Sequence, residues 1–174
     1  MNFNEIKIVS GSVFIENLPA FLKSLNDFSK LHNIKIQGFD ARKIVDEEHL
    51  FFSIYRAREA FSSGVNEAKD LGLEVMRFSS GQKQIDKSFS MGLFEGKNRS
   101  LFIFFGETDE QLQKAQNEFE GVFEAISYEP ISSDEKKPFL MKQFDISDTE
   151  LNAAGECKLK DLVMERVALV DIVR

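Results

Sequence analysis

Two histidines, one cysteine and 29 carboxylates are the side chains with chemistry to offer, and their spacing gives them little to do with it. His32 and His49 do not form a His-x-x-x-His or related pair that would put two imidazoles on one metal. His32 falls where a helical pattern ends, as a partner for the helix dipole or a surface residue. His49 follows Asp46-Glu47-Glu48, so a hydrogen bond on a helix surface is expected for it. Cys157 is the single cysteine, which leaves no disulfide within the chain and no thiolate metal cluster, and no histidine neighbours it to activate it. No pair of carboxylates stands out from a solvated face. There is no Gly-x-Gly-x-x-Gly or Walker-type loop; Gly92–Gly96 is a turn between a helix and a strand. Neither catalysis nor a bound metal or cofactor is expected.

The informative stretch runs from Leu71 to Gly92. Ser79-Ser80-Gly81-Gln82-Lys83-Gln84 sets small residues and one glycine between two helical patterns, with Arg77 before it and Lys87 one turn after it. Two readings fit. Serine capping of an ordinary helix is one. The other is a local anion or nucleotide site, in which helix-start amides and a few cations favour negative charge.

The rest of the chain must position this junction. With 174 residues it has the length of one domain with a real core. It has 18 Phe against 2 Tyr and no Trp, and Phe brings apolar area with no polar handle, so most of these rings belong in the core. No apolar run approaches the roughly 20 residues that span a bilayer, and Met1 to Ile8 alternates charge with Ile and lacks a signal-peptide core. A cytoplasmic location is expected, with no membrane contact. The formal net charge of −7 argues against broad, charge-driven binding of nucleic acid, so any RNA site must be local.

Hydropathy sets the order of elements. A strand is expected over Ile6–Ile15 with a bend or bulge at Gly11, then a helix opened by Pro19 and broken at His32-Asn33. A half-buried strand follows over Asn33–Phe39, and Asp40 is expected to cap a helix running to Phe61 and stopped by Gly64. Helices are expected over Asn66–Ser79 and Gln82–Met91, the second with Ile85, Ser88 and Phe89 inward and Gly92 as its C-cap. Ser100–Phe105, apolar throughout, predicts a central strand covered on both faces. A helix capped by Thr108 or Asp109 and a last strand over Val122–Tyr128 come next. The pattern loosens over 129–155, which suits a mobile insert or a short helix after Asp134. Leu159–Val170 is a helix, with Ala168–Val173 able to end as a strand instead. The class is α+β in a single domain, a small mixed or antiparallel sheet with helices packed on it.

If Leu159–Val173 is helical, Leu159, Leu162, Val163, Leu169, Val170 and Val173 make one apolar face, and Met164, Val167, Ala168 and Ile172 fall outside it. A helix apolar on two sides is wedged between two bodies, one of which is a partner. With the Gln82–Met91 helix, this makes Phe89, Met91, Met164, Val167 and Ala168 the candidate partner surface. Burial in the chain's own core is the alternative.

The run Glu74-Val75-Met76-Arg77-Phe78-Ser79-Ser80-Gly81-Gln82-Lys83-Gln84-Ile85, continued by Phe89 and Met91-Gly92-Leu93, resembles the core of the smallest kinase-binding subunit of the KEOPS complex, the TPRKB family. Glu48-His49-Leu50 with Ala57 and Ala60-Phe61, and Glu165 to Ile172 at the other end, look like further parts of the same family. Lys83 stands where the family usually has Arg, which keeps the charge and loses the two-pronged fork. The resemblance implies a non-catalytic α/β protein that binds the complex's small PRPK-type atypical kinase and the 3′ CCA end of tRNA. It would support threonylcarbamoyladenosine modification, in the cytoplasm and, in a eukaryote, the nucleus as well. Arg77, Ser80, Gly81, Gln82, Lys83, Gln84 and Lys87 would then be the RNA site. A protein-binding adaptor without tRNA binding and a small-molecule-binding α/β domain are the alternatives.

Overall fold

The computed structural model describes residues 5–123 and 132–172. Along the chain run β1 (Glu5–Ile15), α1 (Leu18–Leu31), β2 (Lys35–Asp40), α2 (Glu47–Ser63), α3 (Leu71–Ser79), α4 (Ile85–Ser88), β3 (Gly96–Gly106), α5 (Asp109–Val122), α6 (Ser133–Gln143), α7 (Asp148–Ala154) and α8 (Leu159–Ala168). The 3-10 turns lie at Ala41–Lys43, Phe89–Met91 and Glu156–Lys158. This is an α+β fold with an antiparallel sheet. Its described residues gather into two compact units, one drawn from 1–41 and 93–130 and the other from 42–92 and 131–174.

The first unit holds the sheet, in strand order β1-β3-β2. β3 is the central strand and pairs antiparallel with both neighbours. It is central because it is apolar on both faces: Phe102, Ile103, Phe104 and Phe105 are all buried. The β1–β3 register runs unbroken from Glu5 opposite Gly106 to Ile15 opposite Gly96, so Gly11 is not a bulge. It sits in register with Ser100, whose hydroxyl donates to the Gly11 carbonyl at 2.8 Å. Helix α1 starts where Asn17 caps the Ala20 amide at 2.8 Å, with Pro19 in its first turn, and ends ahead of Asn33, which takes a left-handed φ of 53°. Thr108 caps α5. That helix runs through Val122, so the last strand expected from Val122 does not begin there; its remainder lies outside the described residues.

Phenylalanine fills this unit's core. Phe119 of α5 meets Phe28, Phe102, Phe104 and Phe123 at ring separations of 5.6, 4.9, 5.0 and 4.5 Å. Three of these contacts are edge-to-face, the arrangement that ring quadrupoles favour.

The second unit is helical. Asp40 does not cap α2: it ends β2 opposite Ser100, and the 3-10 turn follows it. The cap is Asp46, whose carboxylate accepts from the His49 amide at 3.0 Å, with Glu47 and Glu48 complementing the dipole in the first turn. Gly64 closes α2 at φ 68°. Residues 132–155 carry two capped helices, α6 and α7, which with α8 bury Leu140, Phe144, Ile146, Leu151, Val163 and Val167 together. The chain past α8 is a turn through Ile172, not a strand.

Candidate functional site

All twelve residues expected to bind RNA or a partner lie in the second unit. The junction after α3 is built from inside outward. Below it, His49 of α2 is fully buried, not on a helix surface. Its Nδ1 accepts from the Val45 amide at 3.3 Å, and its Nε2 lies 3.0 Å from the Ser79 carbonyl. These contacts call for a neutral ring with Nε2 protonated and donating, and burial pushes its pKa down to about 4. Ser80 is buried too: its hydroxyl donates to the Arg77 carbonyl at 2.7 Å, accepts from the Gln82 amide at 3.1 Å, and lies 3.0 Å from the Ser88 hydroxyl. Gly81 takes φ 67°, and a Cβ there would sit 3.2 Å from the Phe144 ring. The left-handed φ favours glycine, and the tight approach to Phe144 adds to it.

This corrects the expected RNA site in three respects. Arg77 offers no charge to solvent: it is 1% exposed and bound on one side by Glu74 (Nη2 to Oε1 2.7 Å) and on the other by Asp171 (3.1 Å). Ser80 is spent on the junction's own hydrogen bonds. The helix expected over Gln82–Met91 shrinks to the single turn of α4 and a 3-10 turn, because Gln84 provides no side-chain cap, and Ser88 and Ser90 bond back to the Gln84 and Lys87 carbonyls. One turn sums little dipole, so the outward chemistry is that of side chains. Lys83, Gln84 and Lys87 are exposed, and Gln82 is half-buried beside them.

The expected partner residues divide in the same way. Met91 and Val167 are fully buried and belong to the core. Val167 falls with Val163 and Val170 on the inward stripe of the C-terminal helix and turn. Phe89 points outward at 54% exposure, against the inward placement expected of it; Ala168 is exposed and Met164 half-buried.

Two ion-pair sets fix what lies beside Met164 and Ala168. Lys160, at the start of α8, reaches Asp46 at 2.6 Å and also Glu48, at the start of α2. Asp171, just past the end of α8, meets Arg56 in the third turn of α2 at 3.2 Å. Helix α8 therefore lies alongside α2, running in the same direction. On the outward side of α2, one turn apart, Phe51 and Tyr55 are 50% and 57% exposed. On the outward side of α8, Met164, Ala168 and Ile172 follow Lys160 at steps of four, Ile172 at 68% exposure. Exposed apolar side chains thus lie on the outward sides of two neighbouring helices, together called the apolar strip below, and the exposed Glu47, Glu48, Glu59, Asp161 and Glu165 lie on the same two helices. Of the apolar stripe expected for α2 (Ile44, Val45, Leu50, Ile54, Ala57, Ala60 and Phe61), Leu50, Ile54, Ala57 and Ala60 are buried, Phe61 is half-buried, and Ile44 and Val45 precede the helix. Phe51 and Tyr55 went unnoticed because they lie off that stripe, and their four-residue spacing was the available signal.

Among the described residues, no group of three or more His, Cys, Asp or Glu is placed to hold a metal ion, and Cys157 is exposed and alone. No described helix is long and apolar enough to cross a membrane. A search of curated proteins finds no match. The family described as kinase binding protein CGI-121 matches residues 15–171, nearly the whole chain, α2 and α8 included. The chain belongs to this family of kinase-binding proteins.

Proposed function

We propose that this chain is a non-catalytic adaptor of a KEOPS complex, which docks the complex's PRPK-type kinase and holds the 3′ CCA end of tRNA for threonylcarbamoyladenosine modification. The observation that carries the docking half is the apolar strip of Phe51, Tyr55, Met164, Ala168 and Ile172 on a kinase-binding protein. Large rings exposed one turn apart, on helices that also expose acidic side chains, suit a central apolar contact with a rim of opposite charge on the partner. The RNA half is supported by Lys83, Gln84 and Lys87, exposed together in a chain of net charge −7. Two cations and one side-chain amide, with half-buried Gln82 beside them, are enough to touch the phosphates and base edges of a few unpaired nucleotides, and too few to hold a stem.

Two measurements test this. Tyr55→Asp is expected to abolish capture of the kinase from a protein that still melts cooperatively; retained capture places the docking face elsewhere. Full-length tRNA is expected to bind, and tRNA trimmed of its last three nucleotides to be released. A second reading, a protein-binding adaptor without tRNA, is favoured by the inward turn of Arg77, which removes one of the three expected cations. Binding of neither tRNA supports it; equal binding of the two overturns the 3′-end assignment.

A further inference from the structure

We propose that Asp171 positions the kinase-docking strip, latching the turn Leu169–Ile172 so that Ala168 and Ile172 line up with Phe51 and Tyr55; the inference rests on the docking face proposed above. Helix α8 ends at Ala168, and the chain continues in a turn in which the Ile172 amide bonds the Leu169 carbonyl at 2.9 Å. Val170 is the turn's apolar anchor, at 4% exposure. Asp171 is its polar anchor, and uses both oxygens: Oδ1 accepts from Arg77 Nη1 and Nη2 at 3.1 Å each, and Oδ2 accepts from Arg56 Nη2 at 3.2 Å. One carboxylate therefore ties the turn to α3 and α2 at once.

The cluster is asymmetric, and its asymmetry marks Asp171 as separable. Glu74 and Arg77 stay paired without it: Glu74 Oε1 accepts from Arg77 Nε at 3.1 Å and Nη2 at 2.7 Å, while Oε2 accepts from the Ala68 amide at 2.8 Å, and of the Arg77 nitrogens Nη1 depends on Asp171. Both side chains are buried, and they neutralise each other. Asp171 is instead 38% exposed and Arg56 32% exposed, so each reaches water if the other is removed. Loss of the Asp171 charge frees the turn and leaves the core pair intact. What the latch holds in place is a side chain that contributes nothing to the chain's own core, since Ile172 is 68% exposed. Ordering such a residue before the partner arrives lowers the entropy lost on docking.

The test compares Asp171→Asn, Ile172→Ala, the double variant and Tyr55→Asp for kinase affinity, melting and hydrogen exchange. Asp171→Asn is expected to melt cooperatively, to lose amide protection at Ile172, and to bind the kinase about tenfold more weakly, the ordering cost of a side chain or two. In the Ile172→Ala background the same change is expected to cost much less, because its effect acts through Ile172. Asp171→Glu, keeping the charge, is expected to recover part of the affinity. Wild-type affinity in Asp171→Asn, equal losses in both backgrounds, or global unfolding overturns the latch while Tyr55→Asp still reports on the face. Kinase binding by Tyr55→Asp overturns the face, and this inference with it.

Discussion

His49 and Arg77 occupy the same end of the helical unit, and both are working parts of its interior. His49 is neutral in the fold, with its pKa pushed down to about 4 by burial, against about 6.5 in an unfolded chain. Between those values the unfolded chain binds the extra proton, so stability rises with pH across that window and is lost on acidification. The expected loss from pH 7 to pH 5 is about 2 kcal/mol, measured as a shift in urea midpoint at constant slope, and His49→Gln should remove most of it. Arg77 gives a different test. Arg77→Met strands the buried Glu74 carboxylate and is expected to cost about 3–5 kcal/mol. Lys83→Glu, at an exposed position, should leave the urea midpoint nearly unchanged. A stable, cooperatively folded Arg77→Met protein would contradict the buried pairing. Local sequence held half of this: Glu74 lies three residues before Arg77, at helical pairing distance, while the second partner, Asp171, lies 94 residues away, and among Ser79, Lys83 and Lys87 the arginine looks like one of a cationic group. Lys83, Gln84 and Lys87 were legible because exposed polar side chains need no partner to be placed outward.

The elements were most legible where one local signal sufficed, and least where two competed. The run Leu101 to Phe105 could only be a doubly buried strand, and β3 is one. For α2, Asp40 was the expected cap; its pairing with Ser100 in the sheet, a long-range contact, keeps it in β2, and Asp46 caps the helix instead. The loose stretch 129–155 hid two helices, although Ser132-Ser133-Asp134-Glu135 and Ser147-Asp148-Thr149-Glu150 both carry capping-box signatures. The serine half of each box forms, with Ser132 bonding the Glu135 amide at 3.2 Å and Ser147 the Glu150 amide at 3.1 Å. Pro138 inside the first and the shortness of the second masked the periodicity. In α5, Phe119 joins the helix to β3 through Phe102 and Phe104 and to α1 through Phe28. Phe119→Ala is therefore expected to cost about 3–5 kcal/mol in a denaturant titration. A loss below 1 kcal/mol would mean that the neighbouring rings collapse into the space.

At the scale of the whole chain, net charge limits how RNA can be held. A molecule of charge −7 repels a polyanion at long range, so binding must come from contacts inside a Debye length of about 10 Å. The exposed lysines of the junction are Lys83 and Lys87, since Arg77 is committed to Glu74 and Asp171. Two neutralised phosphates on a single strand give a log–log dependence of affinity on salt with a slope of about −1.4. Replacing either lysine with Ala should bring the slope to about −0.7 and weaken binding of the unpaired 3′ end without moving the kinase affinity. A slope near −2, or one unmoved by Lys87→Ala, would implicate cations outside this junction. The independence of kinase binding matters as much as the slope. The lysines follow α3, while the strip of Phe51, Tyr55, Met164, Ala168 and Ile172 lies on α2, α8 and the turn after α8, and no residue belongs to both. Lys83→Glu should therefore release tRNA and keep the kinase, and Tyr55→Asp should release the kinase and keep tRNA. Titration of each variant against both ligands checks this directly. Joint loss in either variant would mean that one surface serves both partners.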